Sequence, residues 1–283
     1  MATFYVAKNV TDLTPLTITD SADIIIGEGG QIIDAGLDLS ALATGVHLLE
    51  VQAPFSGDIG TPGNPLRADI DAGSAPKIQY NAQGGTLYFY PGGITGSATE
   101  IEVLGRGNLV LSTGGTVVSL EVGNGTAYIP DTVNVTNLRM AGGIVTQLYK
   151  ATANTAWHID GGVLNTGRGF SGTAYVMGGA EVTVKRTDTG ATLPAGGTLV
   201  VADGRVKWVG GAVTVILGAR GMIDLSEVPN AAAITVTGTA KALARSLLQS
   251  KYAFGVVTVT ENEYVGSRVS QFSLGGSLSN GGL

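Results

Sequence analysis

Two histidines, His47 and His158, and a scatter of carboxylates are the residues of this chain that could do chemistry. His158 stands in Ala156-Trp-His-Ile-Asp160, so Asp160 is close enough to orient it, but no Gly-x-Ser-x-Gly elbow supplies a nucleophile. Glu100 and Glu102 fall on one face of a strand and could approach the carboxyl separation that inverting hydrolysis of a glycoside needs. With Ile101 and Val103 inside, the two acids read better as side chains that simply face water. The other acids of the central region (Glu121, Asp131, Asp160, Glu181, Asp188, Asp203, Asp224 and Glu227) fall at differing offsets from the glycine pairs described below and form no set. Asp69-Ile-Asp-Ala-Gly73 opens like a calcium loop but lacks its further oxygen ligands, and no Gly-x-x-x-x-Gly-Lys-Ser/Thr phosphate loop occurs. The expectation is a protein that is not an enzyme, with no cofactor and no metal.

The elements that would carry these residues are announced by glycine. Gly-Gly recurs at 84, 92, 114, 142, 161, 178, 196 and 210, and most pairs lead into a short run of β-formers. The spacings after Gly92 are 22, 28, 19, 17, 18 and 14 residues, near the length of one solenoid coil. The runs alternate with period two, as half-buried strands do. Leu87 and Phe89 oppose Thr86, Tyr88 and Tyr90; Val182 and Val184 oppose Glu181, Thr183 and Lys185. Val118, Leu120 and Val122 are expected on one face, with Val117, Ser119 and Glu121 on the other. The fold class this implies is all-β, with a Gly-rich β-solenoid body. A β-sandwich or jelly roll of antiparallel hairpins is the alternative, because short strands at even spacing suit it too.

Three regions are expected. Residues 1–75 read as an acidic, β-rich N-terminal cap or attachment region, with strands at Thr3–Val6, Leu16–Thr19, Asp23–Ile26, Gln31–Ile33 and Val46–Val51. Residues 76–230 are the repeat body. Residues 231–283 are a C-terminal cap or assembly region with a helix over 239–251, where Ala240, Leu243, Ala244, Leu247 and Leu248 make an apolar stripe and Thr239 or Thr237 caps the start.

Charge bounds the partners. The chain has 283 residues, 13% of them charged, and a net charge of −6, with −8 carried by residues 1–75 and +2 by the remainder. An acidic N-terminal part repels phosphates, which argues against nucleic acid. No apolar run approaches the ~18 residues of a membrane span, and the N-terminal residues do not read as a signal peptide, so synthesis in a cytoplasm is expected. There is no cysteine, which excludes disulfides and thiolate metal sites. So few charges suit a surface packed against other subunits.

A candidate interaction surface follows from the repeat. Lys150, Arg168, Lys185, Arg186, Arg205 and Arg220 lie 7 to 10 residues after the start of their glycine pairs, so stacked coils would bring them to one edge as a basic strip for an acidic subunit or an anionic glycan. Mutual repulsion of stacked like charges favours solvated turn residues paired with Asp160, Asp188, Asp203 and Asp224 instead. Tyr88, Tyr90 and Tyr175 point outward on the alternation, and tyrosine is enriched in subunit contacts.

The glycine-pair corners, the absence of cysteine, the low charge and the distinct ends resemble, in style, the β-helical structural proteins of tailed bacteriophages: head decoration or cement proteins, fibres and tailspikes. That resemblance implies a virion protein assembled in the host cytoplasm, often a homotrimer, in contact with other capsid proteins. A receptor- or glycan-binding fibre is the alternative, and a polysaccharide lyase or hydrolase is the third class.

Overall fold

A computed structural model describes residues 2–39, 42, 46–69, 77–93, 99–186, 192–228, 233–239 and 242–243, together with the backbone of two strands further on, 257–261 and 273–274. It divides into two compact units, Met1–Thr146 and Gln147–Leu283. Each is a parallel β-solenoid, whose coils contribute strands alternately to two ladders.

In the first unit one ladder runs through β1 (Thr3–Val6), β2 (Asp23–Ile26), β5 (Leu48–Val51), β8 (Lys77–Tyr80), β10 (Thr99–Val103), β12 (Thr116–Val122) and β14 (Asn134–Met140). The other is built from β3 (Gln31–Ile32), β4 (Gly36–Asp38), β6 (Asp58–Ile59), β7 (Leu66–Asp69), β9 (Thr86–Tyr90), β11 (Asn108–Leu111), β13 (Thr126–Ile129) and β15 (Ile144–Gln147). In the second unit the first ladder holds β16 (Ala156–Ile159), β18 (Phe170–Val176), β20 (Gly196–Val201), β22 (Val213–Leu217), β24 (Ile234–Gly238), β25 (Val257–Glu261) and β26 (Ser273–Leu274). Its second ladder holds β17 (Val163–Thr166), β19 (Ala180–Lys185), β21 (Gly204–Val209) and β23 (Met222–Asp224). The described pairs run parallel, β25 with β26 excepted. Parallel register excludes the sandwich of hairpins.

The period-two alternation makes the core. In the first unit Ile24, Leu49, Ile78, Ile101, Leu120 and Leu138 follow one another in register, each buried. In the second, Trp157, Ala174, Leu199, Val215 and Val236 do the same. Apolar stacks on apolar, and each inward Leu, Ile or Val gains about 1.5–3 kcal/mol over leaving it exposed. Trp157, Phe170 and Trp208 form an aromatic group in the second unit, with ring centroids 4.7 and 6.1 Å apart in succession.

Glycine is required where a corner closes against the coil beneath. Gly85 has φ +75° and Gly178 φ +58°; a Cβ on either would fall on a carbonyl oxygen, of Gly57 and Asp160 respectively.

Four expectations are revised or confined. The alternation fails at Val118, which is 37% exposed while Val117 is fully buried, because a one-residue irregularity in β12 lets Val117 and Ser119 pair successive residues of β10. Leu16–Thr19 forms no strand. Residues 1–75, 76–230 and 231–283 do not coincide with the two compact units, and β5 pairs in register with β8 across residue 75. Of the 239–251 helix, only its start is described. There Ala242 N donates to Thr239 Oγ1 (3.3 Å), Leu243 N donates to Thr239 O (2.9 Å), and Ala242 and Leu243 are helical. Ala240, Ala244, Leu247 and Leu248 lie outside the described residues.

Candidate functional site

The inward stacks are largely apolar, and register shows which outward side chains meet. In the first unit the outward column of the first ladder runs Ile25, Glu50, Gln79, Glu102, Glu121 and Arg139. Beside it run Asp23, Leu48, Lys77, Glu100, Ser119 and Asn137. The face is a charge network. Lys77 is ion-paired with Glu102, whose other oxygen accepts a hydrogen bond from Gln79 Nε2 at 2.8 Å. The hydrogen bond to Glu102 holds the Lys77 ammonium above its ordinary pKa, against the opposing effect of desolvation. Glu102 is thus occupied as an ion-pair partner of Lys77 and a hydrogen-bond acceptor from Gln79. His47 Nδ1 lies 3.0 Å from Asp23 Oδ1 at the edge of the same face.

The second ladder of this unit presents a different column. Tyr88, Val110 and Tyr128 are in register, and Tyr128 is 39% exposed. The Arg67 guanidinium sits 4.9 Å from the centroid of Tyr90. Of the outward tyrosines expected from sequence, Tyr88 is therefore part of a shared apolar column with Tyr128, which sequence reasoning did not single out. Tyr90 is occupied by a cation, and Tyr175 is elsewhere, in the second unit.

The basic strip does not form. Arg168 is buried, 1% exposed, and its Nε donates to the Leu148 carbonyl at 2.8 Å. It belongs with Gln147, Asn154 and Thr166, the buried polar side chains among the described residues; Thr166 Oγ1 donates to Gln147 Oε1 (3.2 Å) and accepts from Arg168 N (2.9 Å). Arg186 lies over the Tyr149 ring, 3.6 Å from its centroid, and donates to Thr192 O. Arg205 is exposed and stands opposite Glu181 in register. Arg220 pairs with Asp203 at 3.0 Å, one of the pairings that solvated turn residues were expected to make. Lys185 and Lys207 share Glu227, whose carboxyl is pushed down to about 2 by their hydrogen bonds. The reason is geometric: the offset from a glycine pair measures distance along the chain, whereas unequal coil lengths put the six cations at different strands and corners.

Lys150 lines an open cleft of about 390 Å³ in the second unit, with Tyr149, Phe170, Ser171, Leu193 and Pro194. His158 is on the outward face of β16, half exposed, 3.3 Å from Asp160 and with its ring 5.7 Å from that of Tyr175. Both side chains face solvent. Among the described residues no group of three His, Asp or Glu converges on a metal-sized space, and no helix is long and apolar enough to cross a membrane.

Comparison with family models, curated proteins and solved structures finds no match to this chain.

Proposed function

We propose that this chain is a non-enzymatic structural protein that decorates or cements a particle surface through subunit contacts, the virion role implied by its resemblance to the β-helical proteins of tailed bacteriophages. The observation that carries the reading is the outward Tyr88–Val110–Tyr128 column. Two tyrosines two rungs apart on a stiff ladder, with Val110 between them, give large contact area with little rotamer entropy to lose, and tyrosine is favoured in protein interfaces. Partners of this class are further copies of the chain, with a trimer as the arrangement the resemblance implies, and other capsid subunits. Assembly would take place in the host cytoplasm.

Light scattering of the full chain tests it. An oligomer is expected, and Tyr128→Glu should shift the mass toward that of one chain, since a buried carboxylate in an apolar contact is strongly disfavoured. A monomer whose mass and particle binding ignore Tyr128→Glu would sink the reading.

The cleft beside Lys150 favours a second reading, a glycan-binding fibre. Lys150 and Ser171 supply polar groups around an open floor, beside the Tyr149 ring that Arg186 covers. Binding of acidic oligosaccharides that is lost in Lys150→Ala, with assembly intact, would move the assignment there.

A further inference from the structure

The first ladder of the second unit carries an outward pattern that neither the cleft nor the tyrosine column uses. Thr173, Thr198, Thr214 and Thr235 are Cα partners on four successive rungs, and Thr258 of β25 continues the register. Beside this column run Tyr175, Val200, Ile216 and Thr237, continued in register by Thr260. Thr214 and Ile216 are exposed, and Thr173, Thr198, Val200, Thr235 and Thr237 are half-buried. The strands β18, β20, β22 and β24 contain no Asp, Glu, Lys or Arg. The register shift of β18 lies before Thr173, and the pairing from there to β24 is unbroken.

The physical consequence is a mesh of fixed spacing. Rungs repeat at about 4.8 Å, and alternate residues along a strand at about 6.6 Å. Thr, Val and Ile are restricted at χ1, so hydroxyls and methyls recur in defined places. Nothing on these four strands would orient water around a formal charge. A protein partner is poorly served here: four rungs of two columns cover on the order of 250 Å², against about 800 Å² a side in a standard interface. A repeating solid is served well, because each rung meets the same surface again.

We propose that this face binds ice, with the threonine hydroxyls and the flanking methyl groups holding a layer of ordered water that merges with the crystal lattice. The ligand is crystalline water, and Thr198, Thr214 and Thr235 are the central contacts.

The test is thermal hysteresis and ice-recrystallisation inhibition by the full chain, beside Thr214→Lys and Thr235→Lys, with Asn165→Lys on the other ladder as control and circular dichroism to verify folding. Expected are a measurable freezing gap and faceted crystals for the unsubstituted chain and for Asn165→Lys, with a several-fold loss in either threonine variant. Unfaceted growth in the unsubstituted chain would overturn the proposal, as would folded threonine variants that behave like it. An oligomer that falls to one chain on Thr214→Lys would overturn it too, by showing that a second copy covers the face.

Discussion

The first ladders of the two units are alike inside and opposed outside. Inward, each stacks apolar side chains rung upon rung. Outward, the first unit sets Glu50, Lys77, Glu100, Glu102, Glu121 and Arg139 on its rungs, whereas β18 to β24 of the second unit set Thr, Val, Ile and Tyr. The second ladders reverse this. The first unit shows Tyr88, Val110 and Tyr128, and the second shows Glu181, Arg205, Lys185 and Lys207. A solenoid allows it because every coil repeats the same interior problem, while the side chains beyond the backbone are not needed to close the core. Stability is therefore shared between the units, and surface chemistry is where they differ.

The largest expected effect tests the shared half of that comparison. Trp208 and Phe89 are both fully buried, one in each unit, and Trp208 Nε1 donates to Gly211 O at 3.0 Å. Trp208→Ala and Phe89→Ala should each cost about 3–5 kcal/mol, read by denaturant titration. A cost near zero for one of them would show that the two interiors are not equivalent. Next come the corners. Gly85→Ala and Gly178→Ala each place a Cβ on a carbonyl oxygen and force an L-residue to positive φ, so a loss of roughly 1–3 kcal/mol is expected at each. The surface terms are smaller. Lys77→Met should cost about 0.2–1 kcal/mol and less at high salt, whereas the change in stability caused by Thr214→Val on the uncharged face should not depend on salt. Equal salt dependence of both would erase the distinction between the faces.

Much of this interior was legible in the chain. Glycine pairs gave the corners, because a tight turn against a neighbouring coil leaves no room for a Cβ, and the alternation in 86–90 and 180–185 gave inward and outward faces. Val118 escaped because a bulge changes the parity of a strand without changing its composition. The outer site was far less legible, and the reason is register. Sequence spacing suggested that six cations would align, but coils of unequal length sent Arg168 into the interior, Arg186 onto Tyr149 and Arg220 to Asp203. The threonine column was missed for the same reason: Thr198 and Thr214 are 16 residues apart and Thr214 and Thr235 are 21 apart, so no fixed period reveals them. Tyr128 was as visible as Tyr88 on the alternation, since both follow a buried residue in a short strand, and only pairing through Val110 makes them a column.

The smallest expected effect concerns the charged face of the second unit, and it is one of pH. Glu227 accepts from Lys185 and Lys207, and those hydrogen bonds lower its carboxyl from 4.5 to about 2. A depressed carboxylate pKa means that the folded form holds its proton less tightly than the unfolded chain. Its contribution is thus complete above the unfolded value and is lost as pH falls from 4.5 toward 2. Because the group is solvent-exposed, salt should weaken the effect throughout. A carbon-detected titration of the Glu227 carboxyl is expected to show a midpoint near 2, and Lys207→Met should move it upward while leaving the uncharged threonine face undisturbed. A midpoint in the ordinary carboxylate range would mean that the two lysines do not hold Glu227 in solution, and that the charged face of this unit is a loose surface in place of a clasp between β19, β21 and the turn after β23.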